Sequence, residues 1–313
     1  MIICAVGVFI DIAVITVAPI ALAIGERAGL SKSSILLAMI GGGKAGNIVS
    51  PNPNTIAVTE AFQLDLTAVM LKNLIPAICA LIATIVLASL LAKQKGDGIS
   101  QNDLEAAPAE KLPNALQAFA GPLTVIVLLA LRPLAKISVD PLIALPLGGL
   151  VCILVTGNIR NLIPYTDFGL SKVIGVAILL IGTGTIAGII KASALQKDMT
   201  TLLSAMNMPA FILAPLSGIL MAAATASTTA GSTVASQTFS GTLLSAGVPA
   251  LSAAAMIHAG ATVLDSLPHG SFFHATGGSV YMDIKNRMKL IPFEALIGLT
   301  STIVAVILYL VTA

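Results

Sequence analysis

The sequence predicts an all-α membrane protein that crosses the bilayer several times. Of its 313 residues 57% are hydrophobic and only 10% are charged, whereas soluble globular chains carry about 25% charged residues. Five charge-free runs are each as long as one bilayer span of about 20 residues, and a sixth run, 199–264, is about three times as long. This composition excludes a soluble enzyme, a nucleic-acid-binding protein and a secreted disulfide scaffold.

The predicted elements follow in chain order. An apolar arm at 1–25, a helix at 34–62 that Gly and Pro interrupt, and a plain span at 74–92 form a first repeat over 1–92. Residues 93–113 hold seven of the thirty charges and predict a cytoplasmic linker. The rest of the chain, 114–313, is predicted to form a second repeat with spans at 114–131, 141–156 and 173–190, a hairpin at 209–247, a broken helix at 250–281 and a last span at 291–311.

An internal duplication supports these two repeats. One constant shift in residue number places Met39, Ile40, Gly43 and Pro51 on Met256, Ile257, Gly260 and Pro268, and Ala13, Thr16, Val17 and Ala18 on Ala230, Thr233, Val234 and Ala235. Interrupted hydrophobic segments at corresponding places in two halves indicate the binding site of a transporter. Three spans precede the hairpin in the second copy but not in the first, so the first repeat is predicted to be incomplete at its N-terminus.

The distribution of Lys and Arg predicts the orientation in the membrane. Four loops, 26–33, 93–113, 157–172 and 282–290, are predicted to lie on one side and carry ten Lys and Arg, against five on the opposite loops. Because cytoplasmic loops carry an excess of Lys and Arg, these four loops are predicted to be cytoplasmic. The hairpin at 209–247 then returns to its own side, and the C-terminus lies outside.

The first helix break reads Ser50-Pro51-Asn52-Pro53-Asn54-Thr55 and cannot form continuous helix. Both prolines lack a backbone donor, and non-helical backbone at membrane depth must be buried in protein or line a watery cavity. A half-helix beginning near Thr55 would present free N–H groups and a positive dipole end to an anion. We therefore predict that Ser50, Asn52, Asn54 and Thr55 bind substrate. The alternative is a surface loop between two short helices.

The hydroxyl-rich stretch inside the long charge-free run is the second predicted part of the site. Ser227, Thr228, Thr229 and Ser232 could bond back to carbonyl groups of their own helix, as Ser and Thr often do. Under the shift that relates the two copies, however, these residues coincide with the neighbourhood of Asp11. This coincidence favours two facing hairpin tips, and we predict that all four residues bind substrate.

Two isolated charges lie in apolar segments of the first repeat. Asp11 has no charged neighbour in sequence, and an ionisable group inside a membrane indicates function. Because burial favours the protonated carboxyl group, Asp11 is a candidate proton carrier, unless it lies close to water. Lys44 has two interpretations of equal weight: a cation that attracts an anionic substrate, or a structural lysine that snorkels or is ion-paired.

The second helix break is flanked by titratable side chains. Asp265 and His274 are candidate proton-coupling residues, and His269 and Ser271 are candidate substrate ligands. No zinc signature is present, and we predict neither a metal nor another cofactor. His258, on an apolar helix, is interpreted as a packed and hydrogen-bonded core residue.

At these residues the chain resembles the gluconate permease family, proton-coupled carriers of gluconate and related hydroxy acids. The resemblance extends from about residue 5 to the end. It is carried by Ile-Gly-Gly-Gly-Lys-Ala-Gly-Asn-Ile-Val-Ser-Pro-Asn-Pro-Asn-Thr at 40–55, by the hydroxyl-rich stretch at 226–236, and by a longer stretch at 254–278 that includes Leu-Asp-Ser-Leu-Pro-His-Gly-Ser-Phe-Phe-His. Members of the family are longer at the N-terminus.

The resemblance implies two inverted repeats, each with a re-entrant hairpin and a discontinuous helix. It also implies an elevator-like movement, usually in a homodimer, in a bacterial inner membrane. The predicted function is therefore proton-coupled symport of gluconate or a related hydroxy-carboxylate, with the small anion and the lipid bilayer as partners and with no nucleic acid. The alternatives are a carrier of another carboxylate or of an amino acid such as D-serine, and a channel-like pore for small neutral solutes. An intramembrane enzyme is not predicted, because the chain has no His-Glu-x-x-His and no Gly-x-Ser-x-Gly paired with a base.

Overall fold

A computed structural model describes residues 1–92, 98–100, 103–104, 113–135, 139–205 and 208–312. Throughout these residues the regular elements are helices, apart from one isolated bridge between Ser31 and Gly98. The α-helices are α1 Ile2–Ala5, α2 Ile10–Ala28, α3 Lys32–Asn47, α4 Pro53–Phe62, α5 Leu66–Lys72, α6 Leu74–Leu91, α7 Ala115–Ala135, α8 Pro141–Val155, α9 Leu162–Ala192, α10 Leu195–Ala205, α11 Leu213–Thr225, α12 Thr228–Ser245, α13 Ala250–Gly260, α14 Ser271–Gly278, α15 Ile284–Met288 and α16 Ile291–Thr312.

The chain divides into two compact units. The smaller unit, 107–181, contains α7 and α8, which pack closely because Gly121 and Gly148 face each other: a Cβ on Gly121 would lie 2.9 Å from the Gly148 carbonyl oxygen. The larger unit contains 1–106 and 182–313. Most of the predicted linker at 93–113 lies outside the described residues.

Helices of the larger unit recur in the same order and at the same spacing. The helices α2, α3, α4 and α6 begin at positions 10, 32, 53 and 74, and α12, α13, α14 and α16 begin at positions 228, 250, 271 and 291. The turns agree as well, since Gln63 and Tyr281 both have φ near 53° and Asp65 and Asp283 both cap the next helix. The same series of a first helix, a broken helix, a capped turn and a long helix therefore occurs twice.

Local sequence explains the break between α3 and α4. The helix α3 ends at Asn47, and α4 begins at Pro53, where the fixed φ of proline suits the first helical position. The Asn52 side chain caps α4 by accepting a hydrogen bond from the Thr55 N–H at 3.0 Å. The half-helix thus begins two residues earlier than predicted. The second break separates α13 from α14 and covers 261–270.

A tight turn joins α11 to α12 inside the predicted hairpin. Ala226 takes the left-handed conformation at φ 46°, and Ser227 caps α12 by accepting a hydrogen bond from the Ala230 N–H. The two helices then run so close that a Cβ on Gly231 would lie 2.5 Å from the Ala222 Cα. Glycine is required at position 231 because a Cβ there would clash with the backbone of Ala222, which cannot move aside as a flexible side chain could.

Replacing Gly231 with alanine should therefore separate α11 from α12 and lower the melting temperature of the detergent-purified protein, at a cost of about 1–3 kcal/mol, typical of overpacking. Gly241→Ala on the same helix is the matched control, because no atom lies within 4 Å of its added Cβ. Alanine is the better helix former, so this control should melt at or above the wild-type temperature. Equal melting temperatures of the two variants would contradict the described α11–α12 contact.

Two of the described helices are long and apolar enough to cross a bilayer, at Leu74–Leu91 and Ile284–Thr312. Both expose apolar side chains over most of their length, including Ile82, Ile85 and Ile303, as helices that face lipid do. The predicted spans at 114–131 and 141–156 correspond to α7 and α8. The predicted span at 173–190 lies inside the 31-residue helix α9, which begins eleven residues earlier.

Candidate functional site

Three segments of the larger unit meet at a buried polar cluster. They are the first break with the start of α4, the start of α12, and the second break after α13. The helices α4, α12 and α13 all contact one another. Hydrogen bonds between side chains from different segments join them, so residues up to 221 positions apart in sequence form one site.

A buried ion pair lies at the centre of this cluster. The Lys44 ammonium lies 2.5 Å from Asp265 Oδ1 and donates a second hydrogen bond to the Thr262 carbonyl oxygen at 2.6 Å. The side chains of Lys44 and Asp265 are only 1% and 3% exposed. Thr228 donates a hydrogen bond to Asp265 Oδ2 at 2.6 Å, and Ser266 donates one to Oδ1 at 2.9 Å. Of the two interpretations of Lys44, the ion-paired lysine describes this structure.

The first break is stabilised largely by its own side chains. Asn52 Nδ2 donates to the backbone and side-chain oxygens of Asn47 at 2.8 and 2.5 Å. The Thr55 hydroxyl donates to the Ser50 carbonyl oxygen at 2.6 Å. Asn54 Oδ1 accepts a hydrogen bond from the Thr229 hydroxyl at 2.5 Å, which ties α4 to the start of α12.

Two donors in this break have no protein partner in the described chain. The Asn47 side-chain nitrogen and the Ser50 hydroxyl are buried, in residues 1% and 0% exposed, and neither forms a hydrogen bond. Leaving a buried polar group unpaired costs about 1–3 kcal/mol. These two groups are therefore available to a ligand, and they lie beside the positive N-terminal end of α4.

The hydroxyl-rich stretch divides into two groups. Thr228 and Thr229 bond to other segments of the cluster, as a hairpin tip in a binding site would. Ser232 donates to the Thr229 carbonyl oxygen of its own helix, as does Thr233. The hydroxyl of Ser232 thus follows the alternative interpretation of ordinary bonding within a helix.

The remaining predicted residues are His269, Ser271, His274 and Asp11. None of the hydrogen bonds described for them involves Lys44 or Asp265. His269 and Ser271 are both exposed. His274 Nε2 donates to the Pro268 carbonyl oxygen at 2.8 Å, and its ring packs edge-on against Phe273. Asp11 is half-buried in the first turn of α2, where its carboxylate accepts a hydrogen bond from the Ile12 N–H.

Sequence reasoning missed a second buried ion pair. Arg287 and Glu294 pair directly, although they are 1% and 0% exposed, and Arg287 also lies over the Phe273 ring at 4.8 Å. In the sequence Arg287 counted only as one of the charges of the predicted loop 282–290, without a partner. Its guanidinium contacts α14 and α16 instead, because Glu294 neutralises it. The signal was Glu294 itself, an acid at the start of an otherwise charge-free span.

His258 differs in one respect from its interpretation. It is 0% exposed and packs in the core, as expected. Neither of its ring nitrogens has a hydrogen-bond partner among the described residues, so the expectation of a hydrogen-bonded histidine is wrong.

An ion pair outside the cluster provides a useful comparison. Lys32 at the start of α3 lies 2.7 Å from Asp103, and both side chains are partly exposed, at 14% and 12%. Desolvation raises the pKa of the Asp103 carboxyl group, but the hydrogen bonds from Lys32 and Ser100 outweigh it and hold this pKa below its usual value.

These features define a class of protein: a helical membrane protein whose helix breaks enclose a buried polar site, as in permeases. The sequence model of the GntP permease family (GntP family permease) matches residues 1–312. The chain therefore belongs to this family. An uncharacterized transporter of Haemophilus influenzae is 57% identical over 309 residues, which cover 99% of this chain and 74% of that protein. No solved structure matches the chain significantly. The chain is thus an integral membrane transporter.

Proposed function

We propose that this permease carries gluconate, or a related small hydroxy-carboxylate, across the bacterial inner membrane together with protons. Family membership supports a substrate of the gluconate type. The observation that carries the proposal is the pair of buried, unpaired donors at the first break, the Asn47 amide and the Ser50 hydroxyl. A carboxylate accepts hydrogen bonds from both kinds of group.

The surroundings of these donors suit an anion with several hydroxyl groups. The positive dipole end of α4 stabilises a carboxylate. Asn54 and Thr229 already bond to each other across two segments, and both can exchange that bond for bonds to substrate hydroxyls. The Lys44 charge is neutralised by Asp265, so it holds the cluster together and does not itself bind the anion.

Counterflow of labelled gluconate into proteoliposomes tests the substrate class. Liposomes preloaded with unlabelled gluconate should accumulate the label transiently, because the carrier exchanges one molecule for another. Preloaded D-serine should not support this accumulation. If liposomes preloaded with D-serine supported counterflow and liposomes preloaded with gluconate did not, the substrate would not be a hydroxy-carboxylate. Uptake that equilibrates with no counterflow would indicate a pore.

Removing one of the unpaired donors should weaken binding without weakening the fold. We expect Ser50→Ala to lose about 1 kcal/mol of substrate binding, about a fivefold rise in the gluconate concentration for half-maximal counterflow, with an unchanged melting temperature. The control is Ser236→Ala, which removes a buried hydroxyl that bonds only to the Thr233 carbonyl of its own helix. This control should leave gluconate affinity unchanged. Equal affinities of Ser50→Ala and wild type would remove Ser50 from the site.

Proton coupling is assigned to Asp11, with Asp265 and His274 as further candidates. Asp11 is half-buried, and no ion pair to its carboxylate is described, so it can take up and release a proton without breaking a salt bridge. Asp265 is held by Lys44, Thr228 and Ser266, and His274 is bonded to backbone. These contacts favour Asp11 over the other two.

Asp11→Asn should abolish accumulation driven by a pH gradient, because an amide cannot bind and release a proton as a carboxylate does. Exchange of gluconate for gluconate should persist, since it requires no net proton movement. Asp283→Asn, which changes an exposed helix cap to another good capping residue, should retain both activities. Accumulation by Asp11→Asn at the wild-type level would assign coupling to another group.

We further propose that the two recurring series of helices are inverted repeats with re-entrant hairpins, and that the carrier is a homodimer with its C-terminus outside. The nearly constant offset between corresponding helix starts, 218 for three pairs and 217 for the fourth, supports the repeats. Opposite orientation predicts that single cysteines in the loops after α2 and after α12 react with an impermeant thiol reagent from opposite sides of the membrane.

A further inference from the structure

Oxygen atoms of the second break bind a cation, and that cation is the ammonium group of Lys44 in the first broken helix. The Thr262 carbonyl lies just beyond the C-terminus of α13, where the helix dipole is negative. This carbonyl and Asp265 Oδ1 accept hydrogen bonds from the Lys44 ammonium, at 2.6 and 2.5 Å. In carriers built from broken helices, such half-helix ends and unwound carbonyls coordinate the coupling ion, Na⁺ or H⁺.

The two breaks differ in charge. The counterpart of Asp265 is Asn47 at the offset of the helix starts and Ile48 at the shift of the sequence match, and neither residue is charged. A positive charge is therefore needed only at the second break.

We propose that Lys44 is a resident cation that fills a monovalent cation site formed by Asp265 and the Thr262 carbonyl. It follows that the wild-type protein needs no alkali ion at this site. Shortening the Lys44 side chain should open the site to Na⁺, with the hydroxyls of Thr228 and Ser266 continuing to orient the Asp265 carboxylate.

Thermal melting of the purified protein tests this proposal without any substrate. We compare wild type, Lys44→Ala and Lys44→Met in chloride salts of sodium, potassium and choline at equal ionic strength. Lys44→Ala leaves space beside Asp265, and its melting temperature should rise by several degrees in sodium relative to choline. Lys44→Met fills the same space with an uncharged chain, so its melting temperature, like that of wild type, should not depend on the cation.

The double variant Lys44→Ala/Asp265→Asn should lose the response to sodium, because the anionic ligand is gone. Since Na⁺ is expected to replace the missing charge, Lys44→Ala and the second short variant Lys44→Ser should both be recovered when purified in NaCl. A Lys44→Ala protein that melts identically in all three salts would overturn the proposal. Failure to recover either short variant in NaCl would overturn it as well.

The melting experiments do not depend on the proposed transport function. Only a second measurement, counterflow by the wild-type protein, rests on that function. Wild-type counterflow should be equal in sodium and choline, and a Na⁺ requirement in wild type would show that Lys44 is not the resident cation. If gluconate is not the substrate, counterflow fails in every salt. The sodium-dependent melting of Lys44→Ala would still be observed, so the two failures are distinguishable.

Discussion

Asp265→Asn is expected to destabilise the permease strongly and to abolish transport. The substitution leaves the Lys44 ammonium buried without its anion, and removing one partner of a buried ion pair costs about 3–5 kcal/mol. The amide also places an N–H₂ group where an oxygen now accepts hydrogen bonds from Lys44 and Ser266, or from Thr228. The measurement is the melting temperature in detergent, together with gluconate counterflow.

Two variants distinguish burial of charge from loss of a carboxylate. Asp103→Asn breaks a partly exposed ion pair, which is worth about 1 kcal/mol or less, and should lower the melting temperature little. Lys44→Met/Asp265→Leu replaces both charges by apolar groups and should melt above Asp265→Asn. If Asp265→Asn and Asp103→Asn were equally stable, the Lys44–Asp265 pair would not be buried as described.

Arg287→Met is expected to be the other strongly destabilising change, also by about 3–5 kcal/mol. It leaves the Glu294 carboxylate buried at 0% exposure with no cation. The melting temperature should fall clearly below that of wild type. Lys285→Met on the same short helix is the control, because Lys285 is exposed and should change stability little.

The other series of helices shows that this position does not require charge. Val69 and Ala77 are the counterparts of Arg287 and Glu294 in the first series, and both are fully buried. The double variant Arg287→Met/Glu294→Leu should therefore recover much of the stability that Arg287→Met loses. A double variant less stable than the single one would indicate that the ion pair itself stabilises the fold.

Much of the fold could be predicted from the sequence because its strongest signals are local. Pro51 and Pro53 cannot continue a helix, and the structure ends α3 at Asn47 and restarts at Pro53. The duplication was visible because the same order of apolar, Gly-rich and Pro-containing segments occurs twice. The length of α9 was not predicted, since polar residues at 158–172 resemble a loop when read without their neighbours.

The site was predicted by residue type but not by partner. Lys44 and Asp265 were both identified as charges near helix breaks, but their contact joins positions 221 residues apart, and no local pattern encodes it. The same limit concealed the Arg287–Glu294 pair. Ser50 was predicted as part of the first break, whereas Asn47 stands out only when hydrogen bonds are assigned, because what distinguishes it is a side-chain nitrogen without a described partner.

Uptake driven by a pH gradient tests whether this permease couples the entry of a small hydroxy-carboxylate to protons. Purified protein in liposomes with an acidic exterior should accumulate labelled gluconate above its external concentration. A protonophore should abolish this accumulation, and replacing external Na⁺ by choline should not affect it. Accumulation that does not depend on the pH gradient would contradict proton coupling, and gluconate entry no faster than into protein-free liposomes would contradict gluconate transport.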